Sequence, residues 1–330
     1  MLFSPTVDEL DAWLAAPAEP APVVVETSGS TGRPKRVVLS RRAVLASVAA
    51  TKNRLGGDGP WVLALPMTYV AGLQVVCRSL VAGHRPVLLE DHPTLAVAVV
   101  AAGGAPYVSV VATQLARALE SPEDTAALAA CAAVLVGGGP VDATLRARAR
   151  DAGIRAVATY GSAETAGGCV YDGLPLDGVA VAIGVDGRIR IGGPTLFDRY
   201  DGDPALTVEV LVDGWFLTPD AGRFDEDGRL EVLGRVDDMV ISGGVKVPAA
   251  VVAARLREHP AVAAAEVGGV ADDEWGQRVV AWVVGDVSLE EVRTWVAQTH
   301  PRSWAPREVV VLDALPMLAN GKVDRVKLRG

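Results

Sequence analysis

The stretch Thr27-Ser28-Gly29-Ser30-Thr31-Gly32-Arg33-Pro34-Lys35 gathers four hydroxyls, two glycines and two cations. Glycine lets backbone N–H groups turn toward an anion, and Ser and Thr add short, rotatable donors. Lys35 adds a point charge, so the chemistry this stretch suits is holding phosphate. The spacing is not that of the Walker loop, Gly-x4-Gly-Lys-Ser/Thr. Pro34 precedes the lysine and holds Arg33 extended, so no helix starts as it does there. Taken alone, the same composition also describes a polar surface turn, because loops favour these residues for conformational reasons.

The elements around it must position it. The β-branched run Val23-Val24-Val25 reads as a buried strand, and a helix capped by Ser40 follows, with apolar Val44, Leu45, Val48 and Leu55 and a stop at Gly56-Gly57. Ahead of the strand, Val7 to Leu14 reads as a short helix. Trp61–Leu65 runs into Pro66-Met67-Thr68-Tyr69-Val70-Ala71-Gly72 and another helix. Val134–Val136 runs into Gly137-Gly138-Gly139-Pro140, and Ala156–Thr159 into Tyr160-Gly161-Ser162-Ala163-Glu164-Thr165. Apolar strands ending in Gly-rich loops, with helices between, describe an open α/β sheet whose ligand sites lie at the strand carboxyl ends.

From about Gly178 the texture changes to short strands with Asp-Gly turns at 186–187, 201–202, 213–214 and 227–228. That predicts a β-rich subdomain. A break follows near Gly234–Asp238. Beyond it, Pro248–Glu258 reads as a helix, Arg278–Val284 as a strand, and Ser288–Thr299 as a helix with a Ser288/Glu291 capping box. The expected division is residues 1–236 and 237–330.

Composition is that of a globular chain: half the residues are hydrophobic and 22% are charged. The net charge of −9 argues against nucleic acid or an anionic membrane as partner. Cys77, Cys131 and Cys169 match no metal or redox spacing and read as buried free thiols of a reducing compartment. The four histidines show no ligand spacing. The longest uncharged run, Pro93–Ala116, is broken by Gly103-Gly104-Ala105-Pro106 into a helix, a turn and a strand at Tyr107–Ala112. No signal peptide or membrane span is expected, and the expected location is cytoplasmic.

Thr27–Lys35 resembles the phosphate loop of the adenylate-forming (acyl-CoA synthetase, AMP-binding) superfamily. Tyr160–Thr165, Trp215–Asp220, Gly234–Val247 and Pro316–Arg325 resemble further motifs of that family, in its order. The resemblance implies a ligase using ATP, Mg²⁺ and coenzyme A. By resemblance, Tyr160 packs on adenine with Gly161 and Ser162, Gly138-Gly139-Pro140 lines the purine pocket, and Glu164, followed by Thr165, holds Mg²⁺. A hard dication wants carboxylate oxygen, with phosphate and water as its other ligands. Asp220 would accept hydrogen bonds from both ribose hydroxyls, and Arg235 would reach the nucleotide. Asp237 matches the hinge about which the small domain turns. Ser242, Gly243 and Gly244 form the loop that faces CoA. Lys322 matches the lysine that enters during adenylation, where a mobile cation helps two anions approach. Read without the family, Asp220 is a turn or cap residue and Lys322 a solvated surface lysine.

Two departures from the pattern stand out. Only 26 residues precede the phosphate loop, so the expected fold is a large but N-terminally reduced α/β domain with a β-rich subdomain, plus a small C-terminal α+β domain. Tyr69 stands where the family usually has histidine. The stretches 65–74, 134–140 and 160–169 look like the o-succinylbenzoate–CoA ligases of menaquinone synthesis. Tyr69, Gly72, Arg78 and Gly161 are then the candidate contacts to the acid, with Arg78 the candidate cation for its second carboxylate. Other readings are a ligase for another acid with CoA or a carrier protein as acceptor, and a non-catalytic nucleotide-binding relative. A homodimer is expected only from the family.

Overall fold

A computed structural model describes residues 2–27, 34–317 and 323–329. The chain forms two compact units. One comprises Met1–Ala182, Arg190–Thr218 and Phe224–Leu230, and the other Ile183–Ile189, Pro219–Arg223 and Glu231–Gly330.

The first unit is built on a seven-stranded sheet. Its order is Leu174–Pro175, Gly167–Tyr171, Ala156–Ser162, Ala133–Gly137, Tyr107–Val111, Trp61–Leu63, Val87–Leu88. The five strands from Ala156–Ser162 to Val87–Leu88 pair in parallel, as near-continuous apolar runs require, and the other two are antiparallel. Trp61–Leu63 pairs with Val87–Leu88 on one side and Tyr107–Val111 on the other, so the strand order reverses there. In open α/β sheets such a switch point opens a crevice at the strand carboxyl ends.

The strand Val23–Glu26 belongs to a different sheet, in the order Leu2–Phe3, Val23–Glu26, Arg36–Leu39, Arg199–Tyr200. Val23–Glu26 and Arg36–Leu39 are antiparallel, with Glu26 opposite Arg36. Glu26 and Arg36, on either side of the hydroxyl-rich stretch, thus face each other across an antiparallel pair, and the next described element is a strand rather than a helix. Arg36–Leu39 is a strand that the sequence reading passed over. The helix after it is as expected: Arg41–Leu55, capped by the Ser40 hydroxyl on the Ala43 N–H and ended by Gly56 in the left-handed region.

A third sheet contains Ala180–Ile183, Arg188–Gly192, Trp215–Phe224 and Leu211–Val212, with Leu230–Arg235 also on Trp215–Phe224. Its Asp213-Gly214 turn has positive φ at both residues, as a two-residue hairpin loop demands.

In the second unit the sheet order is Val245–Pro248, Met239–Ser242, Gly276–Gly285, Val262–Asp272, with Glu308–Val311 parallel to Gly276–Gly285. Helices Ala249–Arg257 and Leu289–Ala297 bring Val252, Leu256, Val292 and Val296 into one core with Val267, Val279 and Val283 from the sheet. The Ser288/Glu291 capping box forms as read. No helix among the described residues is long and apolar enough to cross a membrane.

Candidate active site

The loop at 28–33 lies outside the described residues, and with it Ser28, Gly29, Ser30, Thr31 and Gly32. Its base is described. Thr27 N–H donates to the Lys35 carbonyl at 2.9 Å, and Lys35 N–H donates to Thr27 Oγ1 at 3.1 Å. Lys35 Nζ stands 5.3 Å from the ring centroid of Tyr200.

Glu164 sits in the 3-10 turn Ala163–Thr165, at the carboxyl end of the strand Ala156–Ser162. Thr165 Oγ1 accepts from Ser162 N–H at 2.9 Å and donates to the Gly167 carbonyl at 2.8 Å, which makes the turn rigid. Ala166 follows with φ 49°, a left-handed conformation unusual for a residue with a Cβ. Gln74 Nε2 holds the Ala166 carbonyl at 2.8 Å. Gly161 sits so close to the Gly167–Gly168 backbone that a Cβ there would lie 2.8 Å from Gly168 Cα. Only glycine lets the turn fold back this tightly.

Glu164 is 7% exposed, and Tyr200 Oη donates to its Oε1 at 2.7 Å. Burial, and then the Glu164 charge, push the Tyr200 hydroxyl far above its ordinary range, so it stays neutral and donating. Glu164 joins no ion pair among the described residues. A buried carboxylate without a cation of its own suits a dication that arrives with another ligand. No group of three or more His, Cys, Asp or Glu among the described residues could hold a metal. A lone buried carboxylate fits Mg²⁺, which is commonly bound by one or two carboxylates and completed by phosphate and water.

Further candidates lie at neighbouring strand ends. Gln114 ties two of them, accepting from Val111 N–H and donating to the Ala64 carbonyl, each at 2.9 Å. Gly138, Gly139 and Pro140 follow the strand Ala133–Gly137, and Tyr160, Gly161 and Ser162 end the next. Tyr69 is the residue before helix Val70–Val81. Its side chain makes no cap hydrogen bond and is 44% exposed. Gly72 packs on Pro66, where a Cβ would lie 2.6 Å from the carbonyl carbon.

Arg78 departs from expectation. It is buried at 6% exposure, its guanidinium lies 5.2 Å from the Trp61 ring centroid, and Nη2 donates to Tyr171 Oη at 3.4 Å. Trp61 begins its strand, whereas the Gly-rich loops follow strand ends. Arg78 lies nine positions along the chain from Tyr69, a helical rise of roughly 13 Å. The solvated reading of Arg78 gives way to a buried position.

The remaining candidates belong to the second unit. Asp220 lies inside the strand Trp215–Phe224, not in a turn. Arg235 ends the strand Leu230–Arg235, and Asp237 lies in the 3-10 turn Val236–Asp238. Gly243 and Gly244, with φ 56° and 77°, form the two-residue turn after Ser242. Lys322 lies outside the described residues. The segments flanking it pair, with Met317 opposite Val323, and Arg325 holds Asp238 and Glu266 at 2.9 Å each. Sequence reasoning missed Tyr200, which is 36 residues from Glu164 and on another sheet. No residue type or spacing near it signals the contact.

The sequence pattern of the AMP-binding enzymes matches residues 14–195, more than half of the chain, and that of the AMP-binding enzyme C-terminal domain matches residues 251–322. The chain belongs to the AMP-binding enzyme family. This AMP-binding enzyme is 47% identical over 319 residues to a protein of Mycobacterium tuberculosis (strain CDC 1551 / Oshkosh) named probable 2-succinylbenzoate–CoA ligase. The match covers 93% of this chain and 83% of that one. Among solved structures it resembles the o-succinylbenzoate CoA synthetase of Bacillus subtilis in complex with the acyl-adenylate intermediate OSB-AMP. There the TM-score is 0.78 at 29% identity, covering 93% of this AMP-binding enzyme and 69% of the other chain. The same Bacillus protein with ATP and magnesium ion gives a TM-score of 0.76 at 29% identity, with 93% and 70% covered.

Proposed function

We propose that this AMP-binding enzyme is a 2-succinylbenzoate–CoA ligase of menaquinone biosynthesis. The observation that carries the reading is the 47% identity, across 93% of the chain, to a protein named for that activity. In the first step the acid's carboxylate attacks the α-phosphorus of ATP and pyrophosphate leaves. In the second, the CoA thiol attacks the acyl carbonyl and AMP leaves. The activated intermediate is formed on the substrate, so no enzyme nucleophile is required.

Thr27, Lys35 and the loop between them hold the phosphates. Gly138–Pro140 and Tyr160–Ser162 flank the base, and Asp220 and Arg235 hold the ribose. Glu164 is the ligand for Mg²⁺, which when bound neutralises phosphate charge as the α-phosphorus is attacked. The acid lies against Tyr69, Gly72 and Gly161, and its second carboxylate is met by a group other than Arg78. Lys322 assists the first step only. Asp237 is the hinge between 1–236 and 237–330, and Ser242–Gly244 approach CoA in the second step. The reading includes a cytoplasmic location, where ATP and CoA are available, and a homodimer by likeness to the family.

The test is release of AMP and formation of CoA thioester across a panel of aromatic and aliphatic acids. Turnover with 2-succinylbenzoate, and little with benzoate or fatty acids, is expected. Efficient turnover of another acid would overturn the pathway and keep the two-step chemistry.

A further inference from the structure

We propose that Tyr200 is a positioning residue of the adenylating site, whose hydroxyl fixes one oxygen of Glu164 so that the other is presented to the divalent cation carried by ATP. The inference rests on the reading of Glu164 as the cation's ligand.

The chemistry of the contact points this way. Tyr200 Oη lies 2.7 Å from Glu164 Oε1, and both side chains are buried. A lysine or arginine in that place would neutralise the carboxylate and compete with an arriving dication. A phenol occupies one lone pair and leaves the full negative charge in place. Groups that orient a metal's ligand in this manner shape metal affinity nearly as strongly as the ligand itself.

The mounting of the ring agrees. Tyr200 lies opposite Val37 in the antiparallel pair of Arg199–Tyr200 with Arg36–Leu39. On either side of it, Asp198 N–H donates to the Val38 carbonyl and Asp201 N–H to the Arg36 carbonyl, at 2.9 and 2.8 Å, and Arg36 and Asp201 form an ion pair at 2.9 Å. Tyr200 N–H donates to Thr207 Oγ1 at 3.0 Å. The ring rests on Phe197 at 4.8 Å, and Phe197 N–H donates to the Glu164 carbonyl at 2.9 Å. Donor and carboxylate therefore share one set of anchors. Arg36–Leu39 begins directly after Lys35, so the base of the phosphate loop is part of the same piece. The Tyr200 hydroxyl is a link that removing a single atom breaks.

Tyr200→Phe removes that atom and keeps the ring over which Lys35 sits. With the full-length protein and α,β-methylene-ATP bound, free Mn²⁺ is titrated by electron paramagnetic resonance for the parent, Tyr200→Phe, Glu164→Gln and the double variant. Binding of the metal-free analogue is measured by calorimetry. Mn²⁺ affinity should fall roughly 10- to 100-fold in Tyr200→Phe, with metal-free analogue binding unchanged and no further loss in the double variant beyond Glu164→Gln. Unchanged Mn²⁺ affinity in Tyr200→Phe, where Glu164→Gln weakens it, overturns this inference alone. Parallel loss of metal-free binding overturns it too, because Tyr200 would then only pack the pocket. Unchanged affinity in Glu164→Gln overturns the cation reading of Glu164 and the inference together. Thr207→Val, which frees the Tyr200 N–H, covers the case in which Tyr200→Phe does not fold. It should show a smaller loss of the same metal-only kind, and its absence overturns the proposal.

Discussion

Thr27 and Lys35, on either side of residues 28–33, are tied to each other, the backbone N–H of each donating to an oxygen of the other at 2.9 and 3.1 Å. One of the two bonds uses a side chain, the Thr27 hydroxyl. Thr27→Val keeps the β-branched shape and removes that acceptor. A bond of this kind is worth about 1 kcal/mol net, so KM for ATP should rise roughly five-fold while Thr27→Ser stays near the parent. Steady-state kinetics at varied ATP checks this.

Arg78 has Trp61 and Tyr171 as its partners, and Tyr171 Oη keeps a second contact to Thr51 Oγ1 at 3.1 Å. Arg78→Met therefore fills much of the same space and orphans no partner. Denaturant unfolding should give a stability within about 1.5 kcal/mol of the parent, and KM for the acid should not change. A roughly ten-fold rise in that KM, with ATP unaffected, would return Arg78 to the acid pocket.

Lys322 is assigned to the first half-reaction alone. In Lys322→Ala, acid-dependent AMP formation should fall by a factor on the order of 10²–10³, the usual loss for one group stabilising developing charge. Thioester formation from presynthesised acyl adenylate should be largely spared. Equal losses in both halves would remove the assignment.

All three cysteines are buried and free. Burial pushes the thiols of Cys77 and Cys169 up to about 12 and that of Cys131 up to about 11. Thiolate is the reactive form, so a disulfide reagent at about pH 8 should find no fast thiol in the native protein. Three should react once guanidinium unfolds it. Prompt native reaction would show an opening that this packing does not contain.

Much of this architecture was legible where local chemistry decides it. Ser40 and Gly56 bound one helix, Ser288 and Glu291 start another, and Asp213-Gly214 turns a hairpin, because caps and turns are set by residues within one helical turn or loop of each other. The strands that escaped notice depend on distant partners. Val262–Asp272 is rich in alanine and glycine, poor strand formers, and exists through its long antiparallel pairing with Gly276–Gly285. Arg36–Leu39 is four residues between a loop and a helix cap, and its pairing with Arg199–Tyr200 closes over 160 residues of chain. Asp220, read without the family, is a turn or cap residue, yet the strand Trp215–Phe224 runs through it. Glu164 could be named as a candidate from its motif. Tyr200 could not, since its hydroxyl meets Glu164 only when two sheets come together.

The central claim is that the acid is activated as an adenylate before CoA takes part. The protein, in substrate-like concentration, would be mixed with Mg²⁺, ATP and 2-succinylbenzoate, quenched without CoA, and assayed by mass spectrometry for the acyl adenylate. A parallel sample would receive CoA before quenching. The account predicts acyl adenylate and pyrophosphate in near-stoichiometric amount in the first sample, and their conversion to AMP and CoA thioester in the second. Thioester formation with no acyl adenylate ever accumulating and no release of AMP would contradict it.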